Sequence, residues 1–243
     1  MRDWTGKRYW LVGASEGLGA ALARKLSRAG VSLVLSARSA DALQALAREL
    51  PGQATVAPVD ITDAQALERT ADAIGEIDGV VHLAGVYWPF GAKGWDAEQA
   101  NAMADVNFGG AMRLMGAVVP RFVARGHGHI VLTGSLSGFR GLPGAAPYTA
   151  SKAGVMVLAE SLYADLRGSG VDVQLLNPGF VRTRLTDKND FRMPFIMEPD
   201  AAAQACFEHM TGGGFKHSFP RAFSLLFRGS QFLPDWLYYR LFA

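Results

Sequence analysis

The sequence predicts an α/β fold, a doubly wound parallel sheet with helices on both faces, and three observations carry that prediction. Six short apolar or β-branched runs alternate with longer stretches whose apolar residues recur every three or four positions. Hydrophobic residues make up 49% of the 243 and charged residues 19%, enough to bury a large core and far from a disordered composition. The length is about 1.6 times the ~150 residues of an average domain, and no repeat, low-complexity block or long linker divides it. One domain over residues 1–243 is therefore expected.

Strands are expected at residues 9–12, 31–35, 55–57, 80–83, 130–133 and 171–176, and helices over 18–29, 40–50, 63–74, 98–123 and 150–167. Alternation at this spacing calls for right-handed βαβ units around a sheet buried on both sides. Residues 178–199 break the rhythm, mixing glycine, proline and charges with Met193, Phe195, Ile196 and Met197. A segment this long in a compact domain reads as a functional loop. The C-terminal segment 215–243 holds nine of the chain's 25 aromatic residues. It reads as a short strand to Phe219 and then helices opened by Pro220 and Pro234, since proline suits a first helical turn.

Twenty-four Lys and Arg against 22 Asp and Glu leave a formal charge of +2, too small and too evenly spread for a nucleic-acid partner. Cys206 is the only cysteine, which excludes an intramolecular disulfide and a cysteine-based zinc site and suits a reducing, cytoplasmic setting. Gly13, Glu16 and Gly17 interrupt the first apolar run before a signal-peptide core develops. No run approaches the ~20 apolar residues of a membrane span. The histidines His127, His129, His209 and His217 lack the paired spacing and acidic partner of a zinc hydrolase, so no metal is expected.

Directly after the first strand, Gly13, Gly17 and Gly19 stand at the mouth of the first helix with Ser15 and Leu18 between them. Missing side chains there let main-chain N–H groups and the positive helix end meet a pyrophosphate, while Gly19 lets the helix lie close on the sheet. The ligand-free alternative is an ordinary glycine-rich turn. At the end of the second strand, where an NAD site usually offers a carboxylate to the adenosine ribose, stands Arg38. Its fork of donors suits a 2′-phosphate and points to NADP(H); the alternative is a solvated surface arginine. Asp60 closes the third strand, either as an acceptor for an adenine amino group or as the N-cap of the next helix.

Ser135, Tyr148 and Lys152 form the second constellation. Tyr148 and Lys152 are one helical turn apart, so an ammonium shares a helix face with a phenol and favours phenolate, moving a pKa near ~10 toward neutrality. A general acid/base needs that adjustment. The same pair also occurs on ordinary exposed helices.

With these motifs in order, the chain resembles the short-chain dehydrogenase/reductase superfamily, in its compact branch of roughly 250-residue oxidoreductases, over nearly its whole length. Gly13, Gly17 and Gly19 match its glycine motif, Asp60 its adenine-contacting acid and Asn107 its helix asparagine. Ser135, Tyr148 and Lys152 match its catalytic residues, and Asn177, Pro178 and Gly179 with Thr183 its Pro-Gly/Thr motif. The resemblance implies a single-domain Rossmann fold and a reversible hydride transfer between nicotinamide C4 and a carbonyl or alcohol carbon. It implies that Tyr148 protonates the substrate oxygen, that Ser135 hydrogen-bonds it, and that Lys152 lowers the Tyr148 pKa and holds the nicotinamide ribose. Asn107 would kink its helix and hold a water linking Lys152 to solvent. Ser15, Leu18, Ile61, Ala84 and Gly85 would join the dinucleotide site, with Pro178, Gly179, Val181 and Thr183 around the carboxamide.

Two residues depart from the family pattern. Val12 replaces a threonine, and His82 opens a segment that usually begins with asparagine, so the polar brace behind the cofactor is expected to differ. His82 is expected as a hydrogen-bonded structural histidine. Trp88, Phe90 and Trp95, with Met193 to Met197, should flank the nicotinamide pocket, which suggests an apolar carbonyl substrate, and residues 180–198 become the substrate loop. The helix after Pro220 is amphipathic, with Phe223, Leu226 and Phe227 opposite Arg221, Ser224 and Arg228. It would cover the pocket, form a subunit contact or touch a membrane surface. By family analogy a homodimer or homotetramer would form through residues 100–123 and 150–167. The expected function is that of an NADP(H)-dependent carbonyl reductase or alcohol dehydrogenase, with a non-catalytic NADP(H)-binding redox sensor or scaffold as the rival.

Overall fold

Strong apolar alternation between strand and helix periods produces β1 (Arg8–Val12), α1 (Gly17–Arg28), β2 (Ser32–Ser36), α2 (Ala40–Glu49), β3 (Ala54–Val56), α3 (Ala64–Ile74) and β4 (Gly79–His82). The second half continues with α4 (Ala97–Met103), α5 (Gly110–Arg125), β5 (Gly128–Thr133), α6 (Ala146–Asp165), β6 (Val171–Pro178) and α7 (Pro199–Gly212). It closes with β7 (Lys216–Phe219), α8 (Arg221–Ser230) and α9 (Asp235–Phe242). The computed structural model describes residues 1–242. Its seven strands form one parallel sheet in the order β3-β2-β1-β4-β5-β6-β7.

Successive strand residues face opposite sides. Trp10, Val80, Ile130 and Val173 pack under α3, α5 and α6, whereas Leu11, Val81, Val131 and Leu176 pack under α1, α2 and α7. Burial on both faces explains why the strand sequences are apolar throughout rather than alternating. Strand order reverses between β1 and β4, and the crevice at the carboxyl ends of the strands opens there.

Helix starts follow local chemistry. Ser39, Asp63 and Asp96 each accept a hydrogen bond from the main-chain N–H three residues on, capping α2, α3 and α4. Asp63 thus fills the capping role that was one of two readings of Asp60. The expected 150–167 helix starts earlier, at Ala146, because Pro147 is tolerated in the first turn, and both Tyr148 and Lys152 lie inside α6. The expected 98–123 helix is divided: Ala104–Gly109 is a π-helical turn between α4 and α5. Apolar spacing continues through that turn, so periodicity alone reads one helix.

Two histidines lie fully inside the sheet core. Gln174 Nε2 donates to the carbonyls of His209 and Gly214, so its Oε1 accepts from His129 Nε2 at 2.9 Å, and His129 Nδ1 then accepts from the Tyr9 hydroxyl at 2.9 Å. This chain of donors requires a neutral imidazole. His82 departs from expectation: neither ring nitrogen has a protein hydrogen-bond partner. Burial pushes both His82 and His129 down to about 3. The unfolded chain therefore takes up protons below about pH 6.5 that the native state refuses, and stability falls with falling pH by up to about 1.4 kcal/mol per pH unit for each histidine. Denaturant titrations across this window should show that slope, and His82→Asn should remove one histidine's share of it.

Candidate active site

β1 ends at a turn whose backbone must come very close to its neighbours. Gly13 has a φ of +97°, and a Cβ there would lie 2.4 Å from the main-chain nitrogen of Ala84, just past β4. A Cβ on Gly19 would lie 2.0 Å from the Gly13 carbonyl oxygen, and one on Gly17 would lie 2.8 Å from Thr183 Cγ2. Only glycines fit this cradle. The strands behind it are joined by main-chain bonds, Leu83 N–H to Val12 carbonyl at 2.8 Å and Gly13 N–H to Ser36 carbonyl at 2.8 Å. Val12 itself is buried in the apolar core. At Val12 the joining is by backbone and apolar packing, and the side-chain brace lies two residues back, at Trp10, whose Nε1 donates to Ser36 Oγ at 2.8 Å while the Ser36 hydroxyl donates to the Ala57 carbonyl at 2.5 Å.

A cleft of about 830 Å³ runs along the carboxyl ends of the strands. Its walls include Gly13, Ser15, Gly17, Leu18 and Gly19 from the β1–α1 turn, and Arg38, Asp60 and Ile61 at one end. Ala84, Gly85, Tyr148 and Lys152 line its middle, with Pro178, Gly179, Val181 and Thr183 beyond them. Arg38 is exposed at the rim and enters no ion pair among the described residues. Asp60 Oδ1 accepts from the Thr62 N–H at 2.9 Å and the Thr62 hydroxyl at 2.8 Å. Those bonds, helped by the Arg38 charge, hold its carboxyl below the usual range, so it faces the cleft ionised.

At the inner end, Lys152 is buried and its Nζ donates to the Thr133 carbonyl at 3.1 Å. Burial pulls this ammonium down to about 8. Asn107, in the π-helical turn, is fully buried beneath the cleft rather than in its wall. Its Oδ1 accepts from the Val86 N–H at 2.7 Å, and its Nδ2 donates to the Val86 carbonyl and to Ser151 Oγ, each at 3.0 Å. The turn re-aims this amide, which satisfies the chain where it leaves β4.

Tyr148 differs from expectation. Burial is the largest effect on its phenol and raises it to about 12, against a hydrogen bond with Ser135 that acts in the opposite sense. Lys152 does not prevail because its ammonium is directed to Thr133 and lies 5.9 Å from the tyrosine ring centroid. Ser135 Oγ also accepts from the Ser137 N–H at 3.2 Å and the Ser137 hydroxyl at 2.9 Å. At neutral pH the arrangement presents a protonated phenol beside a serine hydroxyl and a buried cation.

A second cavity, of about 390 Å³, opens on the far side of Tyr148. Ser135, Phe90, Leu142, Phe180, Phe223 and Phe227 are among its walls. Phe90 is where the sequence placed it, but Trp88 instead lies against the Lys188 ammonium, 4.2 Å away, and Trp95 is an exposed neighbour of Phe90. The loop's contribution is also shifted: Leu185, Asn189 and Phe191 line the cavity, not Met193 to Met197. Met197 is drawn off to pair with the Val181 backbone, its N–H donating to the Phe180 carbonyl at 2.9 Å.

Residues 7–192 match the family described as short chain dehydrogenase. The chain belongs to that family. An uncharacterized oxidoreductase of Myxococcus xanthus is 42% identical over 98% of this chain and 97% of its own. A short-chain dehydrogenase from Sphingobium yanoikuyae in complex with NADPH superposes with a TM-score of 0.83 at 29% identity, covering 92% of this chain and 91% of its own. A short chain dehydrogenase/reductase from Burkholderia phymatum in complex with NAD gives a TM-score of 0.86 at 25% identity, covering 94% of each chain.

Sequence reasoning left some walls of this short-chain dehydrogenase undecided, with covering the pocket one of three readings of the helix that carries Phe223 and Phe227, and missed other contacts altogether. Phe223 and Phe227 belong to a helix more than 70 residues after Tyr148, and amphipathicity shows that they face inward without showing what they face. Glu16 pairs with Arg184 at 2.5 Å across the cleft mouth, and Lys188 donates to the Tyr87 carbonyl at 2.7 Å, tying the 180–198 loop to both sides. No local pattern marks either contact. Gly13→Ala tests the cradle: left-handed backbone alone costs an ordinary residue about 1–2 kcal/mol, before the contact with Ala84. Dinucleotide affinity, followed by fluorescence titration, is expected to fall by roughly tenfold or more, with the circular dichroism spectrum retained.

Proposed function

We propose that this protein is an NADP(H)-dependent oxidoreductase that interconverts an apolar carbonyl compound and its alcohol. The observation that carries the reading is the position of Tyr148, which lines both the long cleft and the apolar cavity. A group shared by the two can exchange a proton with a substrate held in one while that substrate meets a dinucleotide held in the other. When bound, NADP(H) supplies or accepts the hydride.

The chain's own residues then divide the work. Backbone around Gly13, Ser15, Gly17, Leu18 and Gly19 receives the pyrophosphate at the start of α1. Arg38 meets the 2′-phosphate, Asp60 and Ile61 the adenine, and Ala84 and Gly85 the adjoining backbone path. Pro178, Gly179, Val181 and Thr183 orient the carboxamide. Tyr148 is the catalytic acid in reduction, suited to it because its phenol holds its proton at neutral pH. Ser135 donates a hydrogen bond to the reacting oxygen. Lys152 brings positive charge to the inner end of the cleft, and Asn107 is a positioning residue that fixes the backbone leaving β4.

The substrate cavity is mostly apolar, with Ser135, Tyr148, Ser137, Thr186, Asn189 and Asp190 among its polar groups, which favours a carbon-rich ketone or aldehyde, and the 180–198 segment serves as its loop. Phe108, Met112, Val157 and Tyr163 leave an apolar face exposed on α5, α6 and the turn before α5. That face supports a homodimer or homotetramer through these helices. A cytoplasmic setting agrees with the lone buried thiol of Cys206.

Tyr148→Phe keeps the ring and removes the proton, and is expected to lower NADPH-linked reduction of apolar ketones by about 10²–10⁴-fold with NADPH binding retained. Tight NADPH binding by the wild type with no turnover across a panel of ketones and aldehydes would instead favour a nucleotide sensor. The cofactor choice has a separate check. Wild type should prefer NADPH to NADH, and Arg38→Asp should reverse or erase a preference of about 10–100-fold, the value of a charge-assisted hydrogen-bond pair. A wild type that prefers NADH overturns the assignment.

A further inference from the structure

A second exposed apolar face lies on α8, α9 and the turn between them. Leu225, Leu226, Phe232, Trp236, Tyr239 and Leu241 are each more than half exposed, Phe232 reaching 88%. A loose tail could fold these residues away, but this one is anchored. Tyr238 on α9 is buried, its hydroxyl donates to the Gly141 carbonyl at 2.6 Å, and its ring lies 3.9 Å from the Arg140 guanidinium. Arg140 also donates to the carbonyls of Ser230 and Leu233, at 2.6 and 2.7 Å, which fixes the turn. On α8, Phe223 and Ser224 face inward and Leu226 faces out, which corrects the sequence reading that set Ser224 opposite Phe223 and Leu226; Ser224 can be buried because its hydroxyl donates to the Arg221 carbonyl at 2.8 Å. Besides the rings they turn inward, the helices are therefore held with these further apolar side chains outward.

The free charges carried by α8 and α9 themselves are of one sign. Arg221, Arg228 and Arg240 are exposed and enter no ion pair among the described residues. Asp235, the only acid in these two helices, is paired with Arg140 at 2.5 Å. Exposed Trp, Tyr, Phe and Leu flanked by free arginines are the composition of helices that lie in a bilayer interface, with rings at headgroup level and guanidinium groups on phosphate. We propose that α8 and α9 dock this protein onto the surface of an anionic phospholipid bilayer. Docking is peripheral, since no described helix is long and apolar enough to cross a membrane. A second copy fits less well: a two-fold contact between these helices would bring the same arginines together with no free acid on α8 or α9 to receive them. The face on α5 and α6 is the better candidate for such a contact.

Full-length protein sedimented with vesicles of phosphatidylcholine, with and without phosphatidylglycerol, tests the proposal. Retention is expected on the phosphatidylglycerol vesicles and should fall as salt is added. Replacing Arg221, Arg228 and Arg240 together by Gln should weaken it roughly a hundredfold. Phe232→Ser with Trp236→Ser should reduce retention on the same vesicles, with the thermal unfolding midpoint unchanged because both side chains are exposed. Failure of the wild type to bind either vesicle overturns the proposal. It is also overturned if the arginine and aromatic variants change the molecular mass in sedimentation equilibrium while vesicle retention stays as in the wild type, which would assign the face to a second copy.

Discussion

The close approach of the Gly13 backbone to Ala84 is the constraint on which the rest of the site depends. β1 and β4 lie side by side where strand order reverses, and the chain must turn out of β1 over the end of β4 with no room for a side chain. Once that turn is made, α1 starts beside the crevice, Gly19 settles against the Gly13 carbonyl, and the cleft has its floor. Ala84 and Gly85 are placed by the same contact from the other side. The α/β architecture supplies the crevice, and these few small residues leave it open.

At the inner end, placement and charge are arranged against the cost of burial. Lys152 is taken out of water and offered one carbonyl, that of Thr133, and its proton becomes easier to lose. Tyr148 is affected in the opposite direction, since burial disfavours phenolate and only the hydrogen bond with Ser135 resists. The two are therefore driven apart in proton affinity, about 8 for the ammonium and about 12 for the phenol, whereas free lysine and tyrosine lie close together with lysine holding its proton slightly more tightly. The expectation that Lys152 would acidify Tyr148 followed from their helix spacing. Spacing gives a shared face, whereas direction and desolvation decide what the shared face does.

Much of this was legible because the fold repeats one simple unit. Strand and helix periods located the layers, and the glycines, Arg38, Asp60, Tyr148 and Lys152 all stand in the wall of one cleft, as their positions at strand ends and helix starts suggested. Features depending on distant contacts were less legible. The π-helical turn that carries Asn107 keeps the apolar rhythm of its neighbours, so periodicity does not show it, and only the family resemblance, which implied a kink at Asn107, pointed there. The inward shift of Phe223 and Phe227 to the cavity, and the withdrawal of Met197 to the Val181 backbone, depend on how the last third of the chain folds back. His82 shows the same limit: its environment was predictable as a core, but not that the core would leave both ring nitrogens unpartnered.

Helix α8 faces two ways at once, with Phe223 and Phe227 walling the cavity and Leu225 and Leu226 turned outward on the same ten-residue segment. Both sets of side chains hang on one ten-residue backbone, so a displacement of the helix would shift the inner rings and the outer leucines together. Cavity shape and surface contacts are in this way mechanically joined, and sequence drift on one side of α8 is constrained by the requirements of the other.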